Sequence, residues 1–246
     1  MARRVHCRQG RMVHVEIPGE VLSAVGPDAV WSSEHEGLSG DVWRVGSCYV
    51  KRAGVEERDR LLWLGEHFEV PSIKAFVDDW LVLEDAGAPS LAAVDPVLAG
   101  TVMGTVLRSL HALPVASCPF DARVPVMLEK ARRNVEAGLV DPDDFDDDNR
   151  GATPSELLER LVRSAPQDED LVVAHGDFCP PNVLLRPDGS TVLIDVSRLG
   201  VSDRHRDIAL VHRELDEEAA DAFDRAYGLV PRPPLLKWYQ LLDEFF

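Results

Sequence analysis

The chain has 246 residues, of which 26 are Lys or Arg and 43 are Asp or Glu, for a formal net charge of −17; 45% are hydrophobic and 28% charged. That balance excludes a disordered tail protein, a collagen-like chain and a small disulfide scaffold. A chain of this length buries roughly 70–75% of its unfolded surface, enough for one large domain or two lobes. So negative a surface repels a phosphate backbone, which argues against nucleic acid as a partner, and it concentrates cationic small molecules.

The first residues, Met1-Ala2-Arg3-Arg4-Val5-His6, have no apolar stretch behind them and do not read as a secretory signal. No apolar run reaches the ~18 residues of a membrane span. Cys7, Cys48, Cys118 and Cys179 are scattered without zinc spacing, which fits reduced thiols in a cytoplasmic protein. Taken in order, short strands are expected at 12–17, 41–45 and 47–52, the last two joined at Gly46 in a tight hairpin. A helix is expected over 56–68, with Leu61, Leu62 and Leu64 on its apolar side, then strands near 74–77 and 80–83. Residues 85–89, with Gly87 and Pro89, read as a flexible connection.

Beyond it the chain turns helical. Helices are expected over 97–113, ending at Pro114, over 127–139, and over 155–164, opened by Ser155. Between the last two lies Asp141-Pro142-Asp143-Asp144-Phe145-Asp146-Asp147-Asp148, six Asp in eight residues. A solubilising loop is the plain reading of such a run; calcium is the weaker one, since the Gly and closing Glu of an EF-hand are missing. Strands at 171–174 and 191–194 flank Val183-Leu184-Leu185 and a Pro187-Asp188-Gly189 turn, and helices resume from Asp207. A strand-rich front and a helical back give an α+β, two-lobed architecture, with lobes at 1–84 and 85–246.

The most informative string is His175-Gly176-Asp177-Phe178-Cys179-Pro180-Pro181-Asn182, followed by Ile194-Asp195. Phosphoryl transfer needs a carboxylate beside the attacking hydroxyl, and hard oxygen ligands that hold Mg²⁺ against nucleotide phosphates. Asp177 and Asn182 sit five residues apart on one loop, and Asp195 closes an apolar strand. An isolated Asp at a strand end is usually a turn or cap; the combination is what points to chemistry.

The string resembles the kinase-like antibiotic phosphotransferases, and most closely the aminoglycoside 3′-phosphotransferases. The likeness runs from about Glu36 to Phe246. It rests on the string above, on Ile194-Asp195-Val196-Ser197-Arg198-Leu199-Gly200-Val201-Ser202-Asp203-Arg204, on Asp207-Ile208-Ala209, and on the closing Tyr239-Gln240-Leu241-Leu242-Asp243-Glu244-Phe245-Phe246. Cys118-Pro119-Phe120-Asp121 and Ala131-Arg132-Arg133-Asn134 resemble further segments of the family.

The resemblance implies a protein-kinase-like fold with a small β-rich N-terminal lobe, and an ATP- and Mg²⁺-dependent transfer to the 3′-hydroxyl of an aminoglycoside, with GTP as the alternative donor. It implies resistance or self-protection as the role and a monomer or weak dimer with no membrane partner. Asp177 would be the catalytic base, with Arg198 beside it, and Asn182 and Asp195 the magnesium ligands. Lys51, oriented by Glu57, would contact the α- and β-phosphates. Ser39 and Gly40, in the Glu36–Asp41 loop, would cradle a phosphate, and Glu84 and Asp85 would meet the nucleotide where the lobes join. The cationic sugar would meet Asp143, Asp144, Asp146 and Asp147 of the acidic loop, Glu217 and Glu218, and the closing Asp243, Glu244 and Phe246 with its α-carboxylate.

There are departures. Ser197 stands where Gly is common, Pro180-Pro181 stiffens the catalytic loop, and residues 1–11 match nothing, so Met12 is a candidate true start. Competing readings are a kinase for a macrolide, choline or homoserine-like alcohol, and a nucleotide-binding pseudokinase. A Ser/Thr protein kinase lacks support, because no His-Arg-Asp or Asp-Phe-Gly occurs.

Overall fold

A computed structural model describes residues 2–6, 12–26, 29–32 and 42–246. The chain divides into two compact units: residues up to Ser90 together with Pro181–Ser197, and Leu91–Pro180 together with Arg198–Phe246. The short segment 181–197 thus packs with the N-terminal residues.

The first unit opens with an antiparallel pair, β1 (Ala2–His6) and β2 (Met12–Glu16), and a short helix, α1 (Gly19–Val25). Its main sheet is built from β3 (Trp31–Ser32), β4 (Val42–Val45), β5 (Cys48–Arg52), β6 (Ile73–Val77) and β7 (Trp80–Glu84), all antiparallel in the order β3-β4-β5-β7-β6. Gly46 turns the β4–β5 hairpin with φ +62°, a conformation that suits glycine, and Val45 pairs with Cys48 across it. Along β4 the side chains alternate, with Trp43 and Val45 buried and Arg44 exposed. Trp43 packs against Trp31 and Trp80, with ring centroids 6.1 and 5.7 Å away, over a core that includes Ile17, Val21, Val50 and Val82. Helix α2 (Val55–Leu64) connects β5 to β6 and buries Leu61 and Leu64. It ends at Gly65, short of the expected residue 68; Leu64 O then accepts from both His67 and Phe68, and the chain leaves as a turn.

The second unit begins with α3 (Pro96–His111), capped by Asp95, whose carboxylate accepts from the Leu98 N–H at 3.0 Å. Gly100 and Gly104 let this helix cross another at very close range. A Cβ on either would lie 2.2 Å from Ala219 O or 2.5 Å from Phe223 O. Next come α4 (Val124–Glu136) and α5 (Pro154–Arg163). The cap of α5 is Thr153 rather than Ser155: Thr153 and Glu156 form a reciprocal capping box and Pro154 takes the first helical position. Strand β8 (Leu171–Ala174) follows. The hairpin of β9 (Val183–Leu185) and β10 (Thr191–Leu193) then belongs to the first unit.

Back in the second unit, β11 (Gly200–Asp203) pairs antiparallel with β8 and leads into α6 (His205–Glu214), α7 (Glu217–Tyr227) and α8 (Pro233–Asp243). The glycines of α3 face α7. The core of this unit gathers Met127, Ala131, Leu157, Leu161, Trp238, Leu242 and Phe245. Phe145, in the middle of the Asp-rich run, is buried with them, so the acidic loop is pinned to the core and does not behave as a solvated spacer.

Candidate active site

The chemistry-bearing residues fall into two groups, one in each unit. In the first unit, the β9–β10 hairpin brings two of the expected metal ligands to the same end. Asn182 immediately precedes β9 and Asp195 lies two residues past β10, and Ile194 N–H donates to Asn182 O at 3.1 Å. At the other end, Asp188 accepts from the N–H and hydroxyl of Ser190, at 3.0 and 2.8 Å, and fixes the turn. Asp195 has φ +56°, in the left-handed region where Asp is tolerated better than most residues. Departures of this kind concentrate where a side chain must be aimed.

The Lys51 ammonium, on β5, is paired with both Glu57 of α2 and Asp195. Burial alone would lower the Lys51 pKa. The charges of Asp195 and Glu57 outweigh that and hold it above the ordinary lysine value, so Lys51 is a fixed cation. Asn182 is buried, whereas the Asp195 side chain remains 45% exposed. An amide oxygen and a partly open carboxylate, carried at the same end of one hairpin, are hard oxygen donors of the kind Mg²⁺ prefers, so these residue types fit the metal.

Glu84 and Asp85 spend their carboxylates on the protein. Glu84 pairs with Lys74 at 3.0 Å, and Asp85 pairs with Arg44 at 3.0 Å and accepts from the Gly87 N–H at 2.9 Å. Ser39 and Gly40 lie outside the described residues.

In the second unit, Asp177 follows β8 on a loop fixed from behind. The N–H groups of His175 and Gly176 donate to the Asp207 carboxylate at 2.8 and 2.7 Å. His111 reaches the same carboxylate through Nε2 at 3.0 Å, and its Nδ1 lies 2.7 Å from the Tyr227 hydroxyl. Burial pushes Asp207 upward, but the hydrogen bond and charge of His111, the charge of His175 and the Gly176 N–H outweigh it, leaving the carboxyl below its usual range. Gly176 has φ +84°, and a Cβ there would lie 2.3 Å from Arg198 O. No larger residue fits that approach.

Arg198 links the catalytic loop to the C-terminal residues. Its guanidinium lies 3.8 Å from Asp177 Oδ1 and 2.7 Å from Asp243 Oδ1, donates to Phe246 O at 2.6 Å, and sits 5.7 Å from the Phe246 ring centroid. Asp243 also binds Arg213, at 2.9 Å. Asn134 donates to Phe245 O at 2.7 Å, and Phe245 is buried, so the last residues are anchored where frayed ends are the rule. Glu244 accepts from the Asp146 N–H at 3.2 Å and from the Asn149 amide, tying the acidic loop to the tail. Burial, with the Asp146 charge adding to it, pushes the Glu244 carboxyl above its ordinary value despite the Asn149 bond.

The acidic loop, the end of α6 and residues 243–246 line an open pocket of about 480 Å³. Six carboxylates border it, those of Asp141, Asp144, Asp146, Glu214, Asp243 and Glu244, against the one guanidinium of Arg213, with Phe245 and Phe246 as its aromatic wall. Of the expected sugar contacts, Asp144, Asp146, Asp243, Glu244 and Phe246 lie on this pocket. Asp143, Asp147, Glu217 and Glu218 do not border it: Asp147 pairs with Arg150 at 2.9 Å, and Glu217 and Glu218 occupy the first turn of α7, where they suit its positive end. Sequence reasoning missed Glu214, Arg213 and Asn149. Glu214 was within reach, since it lies seven residues after the motif residue Asp207, two turns along α6.

A loop aspartate whose neighbouring backbone is anchored by the buried Asp207 carboxylate, a buried lysine–carboxylate pair and a kinase-like α+β fold define a phosphotransferase. Residues 38–241 match the profile of the phosphotransferase enzyme family, and the chain belongs to that family. It is 45% identical to an aminoglycoside 3′-phosphotransferase of Streptomyces fradiae over 77% of this chain and 78% of that one. It is 37% identical to a streptomycin 3″-kinase of Streptomyces griseus over 92% and 96%. Among solved structures, a type VIII aminoglycoside 3′-phosphotransferase superposes with a TM-score of 0.84 at 36% identity, over 92% of this chain and 97% of that one. An aminoglycoside phosphotransferase of Streptomyces rimosus, solved with ADP and streptomycin, superposes with a TM-score of 0.75 at 30% identity, over 91% and 95%. A choline kinase of Streptococcus pneumoniae, at 16% identity and a TM-score of 0.66, shares the fold. Among the described residues, no helix is long and apolar enough to cross a membrane.

Proposed function

We propose that this enzyme transfers the γ-phosphoryl group of ATP to the 3′-hydroxyl of an aminoglycoside, in the cytoplasm, as a means of antibiotic resistance or self-protection. The carrying observation is the pocket beside the anchored tail. Six carboxylates around one open volume of about 480 Å³ suit a sugar bearing several ammonium groups better than a macrolide or choline with a single cationic group, or a zwitterionic amino acid.

Asp177 accepts or guides the proton of the attacking hydroxyl, and Arg198, held by Asp243 and Phe246, sets the charge beside it. Lys51, oriented by Glu57, binds the nucleotide phosphates, with Ser39 and Gly40 as further phosphate contacts. Asn182 and Asp195 hold Mg²⁺, which neutralises charge on the phosphates when bound. The first unit accordingly serves the nucleotide and the second the sugar. Among the sugar contacts, Asp144, Asp146, Asp243 and Glu244 have the strongest support, with Glu214 added from the pocket lining. The presence of Lys51, Asp177, Asn182 and Asp195 supports an active enzyme over a pseudokinase.

A second reading, transfer to a 3″-hydroxyl of streptomycin, is favoured by one observation: the likeness to the streptomycin 3″-kinase extends over 92% of the chain. A coupled ADP-release assay separates the two, using aminoglycosides with and without a 3′-hydroxyl, plus streptomycin. The 3′-reading requires turnover of kanamycin-type substrates, loss of turnover with 3′-deoxy analogues, and none with streptomycin. Turnover of streptomycin alone would establish the second reading, and turnover of 3′-deoxy analogues at the full rate would refute the 3′-assignment.

A further inference from the structure

A second, small space of about 10 Å³ is bordered by Arg206, Tyr239, Asp243 and Phe246 among others. Asp243 and Phe246 border both spaces, so Arg206 adjoins two residues of the surface proposed to meet the sugar. Arg206 lies in the first turn of α6 and is only 5% exposed. A guanidinium has five N–H donors, and buried charges are ordinarily met by a carboxylate at contact distance. Here the one hydrogen bond among the described residues is a long one, 3.5 Å to Arg198 O. Burial, with the Arg198 charge adding to it, holds its pKa below the ordinary arginine value against the opposing charges of Asp207 and Asp243. Arg206 is therefore a buried cation with no carboxylate at ion-pair distance among the described residues.

Asp243 already faces Arg198 at 2.7 Å and Arg213 at 2.9 Å, and Arg206 adds a third guanidinium to its surroundings. Low-dielectric protein transmits this field better than water does. We propose that Arg206 is a specificity-setting positioning residue: its charge, seated beside Asp243 and Phe246, weakens the pull of the acidic pocket on polycationic sugars. The inference rests on the reading of that pocket as the aminoglycoside site. It follows that affinity rises when the charge is removed, and rises more for sugars with more ammonium groups. A residue that merely supported the fold would have the opposite effect.

The test is calorimetric titration of wild type, Arg206→Gln and Arg206→Met with two aminoglycosides, a neomycin-type compound richer in ammonium groups and a kanamycin-type compound with fewer, and with ADP. Gln keeps polar donors and Met fills similar volume without them, so a structural role predicts that Gln resembles Arg and that Met is impaired. The charge role predicts that both variants bind the neomycin-type compound about three- to tenfold more tightly and the kanamycin-type compound with a smaller gain. ADP affinity stays unchanged, and the gain shrinks as salt is added. If Met does not fold, Gln alone decides. Equal or weaker aminoglycoside binding by Arg206→Gln overturns the inference. Wild type that binds these sugars without phosphorylating them would refute the proposed reaction and leave this inference standing; wild type that binds neither would refute both.

Discussion

In each unit a cation is held between two carboxylates, but the two arrangements differ in closure. Lys51 lies between Glu57 and Asp195, and both Lys51 and Glu57 are nearly enclosed. Arg198 lies between Asp177 and Asp243, all three side chains partly open, beside a pocket with several further carboxylates. The closed arrangement holds one charge pattern fixed, as is needed to receive a phosphate chain of constant shape. The open one leaves negative charge unspent, as is needed to receive a variable cationic sugar. On the proposed function, the first serves the nucleotide and the second the acceptor.

The largest effect is expected at Asp177. Asp177→Asn keeps the shape but cannot accept a proton, and kcat should fall by about 10²–10⁴ with nucleotide binding nearly intact. Steady-state kinetics alongside ADP titration checks this, and a variant that keeps more than half of the wild-type rate would remove Asp177 from the mechanism. Next comes the metal pair. Asp195→Ala and Asn182→Ala each remove an oxygen donor, and the activity of Asn182→Ala should recover in part as Mg²⁺ is raised, since water fills a single vacant position. An unchanged Mg²⁺ dependence in both variants would refute the pair.

A third prediction concerns the support of the catalytic loop. Asp207 is fully buried and meets His111 and two backbone N–H groups. Asp207→Asn should cost about 3–5 kcal/mol of stability, read by denaturant unfolding. Because the folded carboxyl is held below its ordinary value, its stabilising contribution is present above the unfolded pKa and is lost as pH falls through the lower, folded one. Loss of wild-type stability should therefore continue below pH 3.8, and Asp207→Asn should lack that component. The smallest effect is at Glu244, whose folded pKa is raised. It ionises later than a free Glu, so aminoglycoside KM should fall modestly as pH rises through a window just above 4.5, and Glu244→Gln should flatten that slope.

How much of this was legible in the sequence varies with the range of the interactions. The Gly46 hairpin, the Trp-rich sheet strands and the His175–Asn182 loop follow from local spacing and turn chemistry, and they stand within a residue or two of expectation. Lys51 pairs with Glu57, the partner expected for it, and also with Asp195, which was expected only as a magnesium ligand. The acidic loop was legible as charge but not as structure. Phe145 pins it to the core, and Glu244 and Asn149 tie it to a tail almost a hundred residues away in sequence, contacts that no local pattern encodes. For the same reason Glu217 and Glu218 looked like sugar contacts, although Glu214, one turn earlier at the end of α6, borders the pocket. Gly100 and Gly104 read as ordinary helix residues until α7 comes within reach of their backbone.

The division of labour between the two charge arrangements is tested most directly by crossed calorimetry on two variants. Lys51→Ala and the double variant Asp144→Asn/Asp146→Asn are each titrated with Mg·ADP and with a kanamycin-type aminoglycoside. The account predicts that Lys51→Ala weakens ADP by about tenfold or more and leaves the aminoglycoside close to wild type. The double variant should do the reverse, with a loss of roughly ten- to a hundredfold for the aminoglycoside. If the Asp variant binds the aminoglycoside as tightly as wild type, or if either variant weakens both ligands equally, the acidic pocket is not a separate sugar site and the account fails.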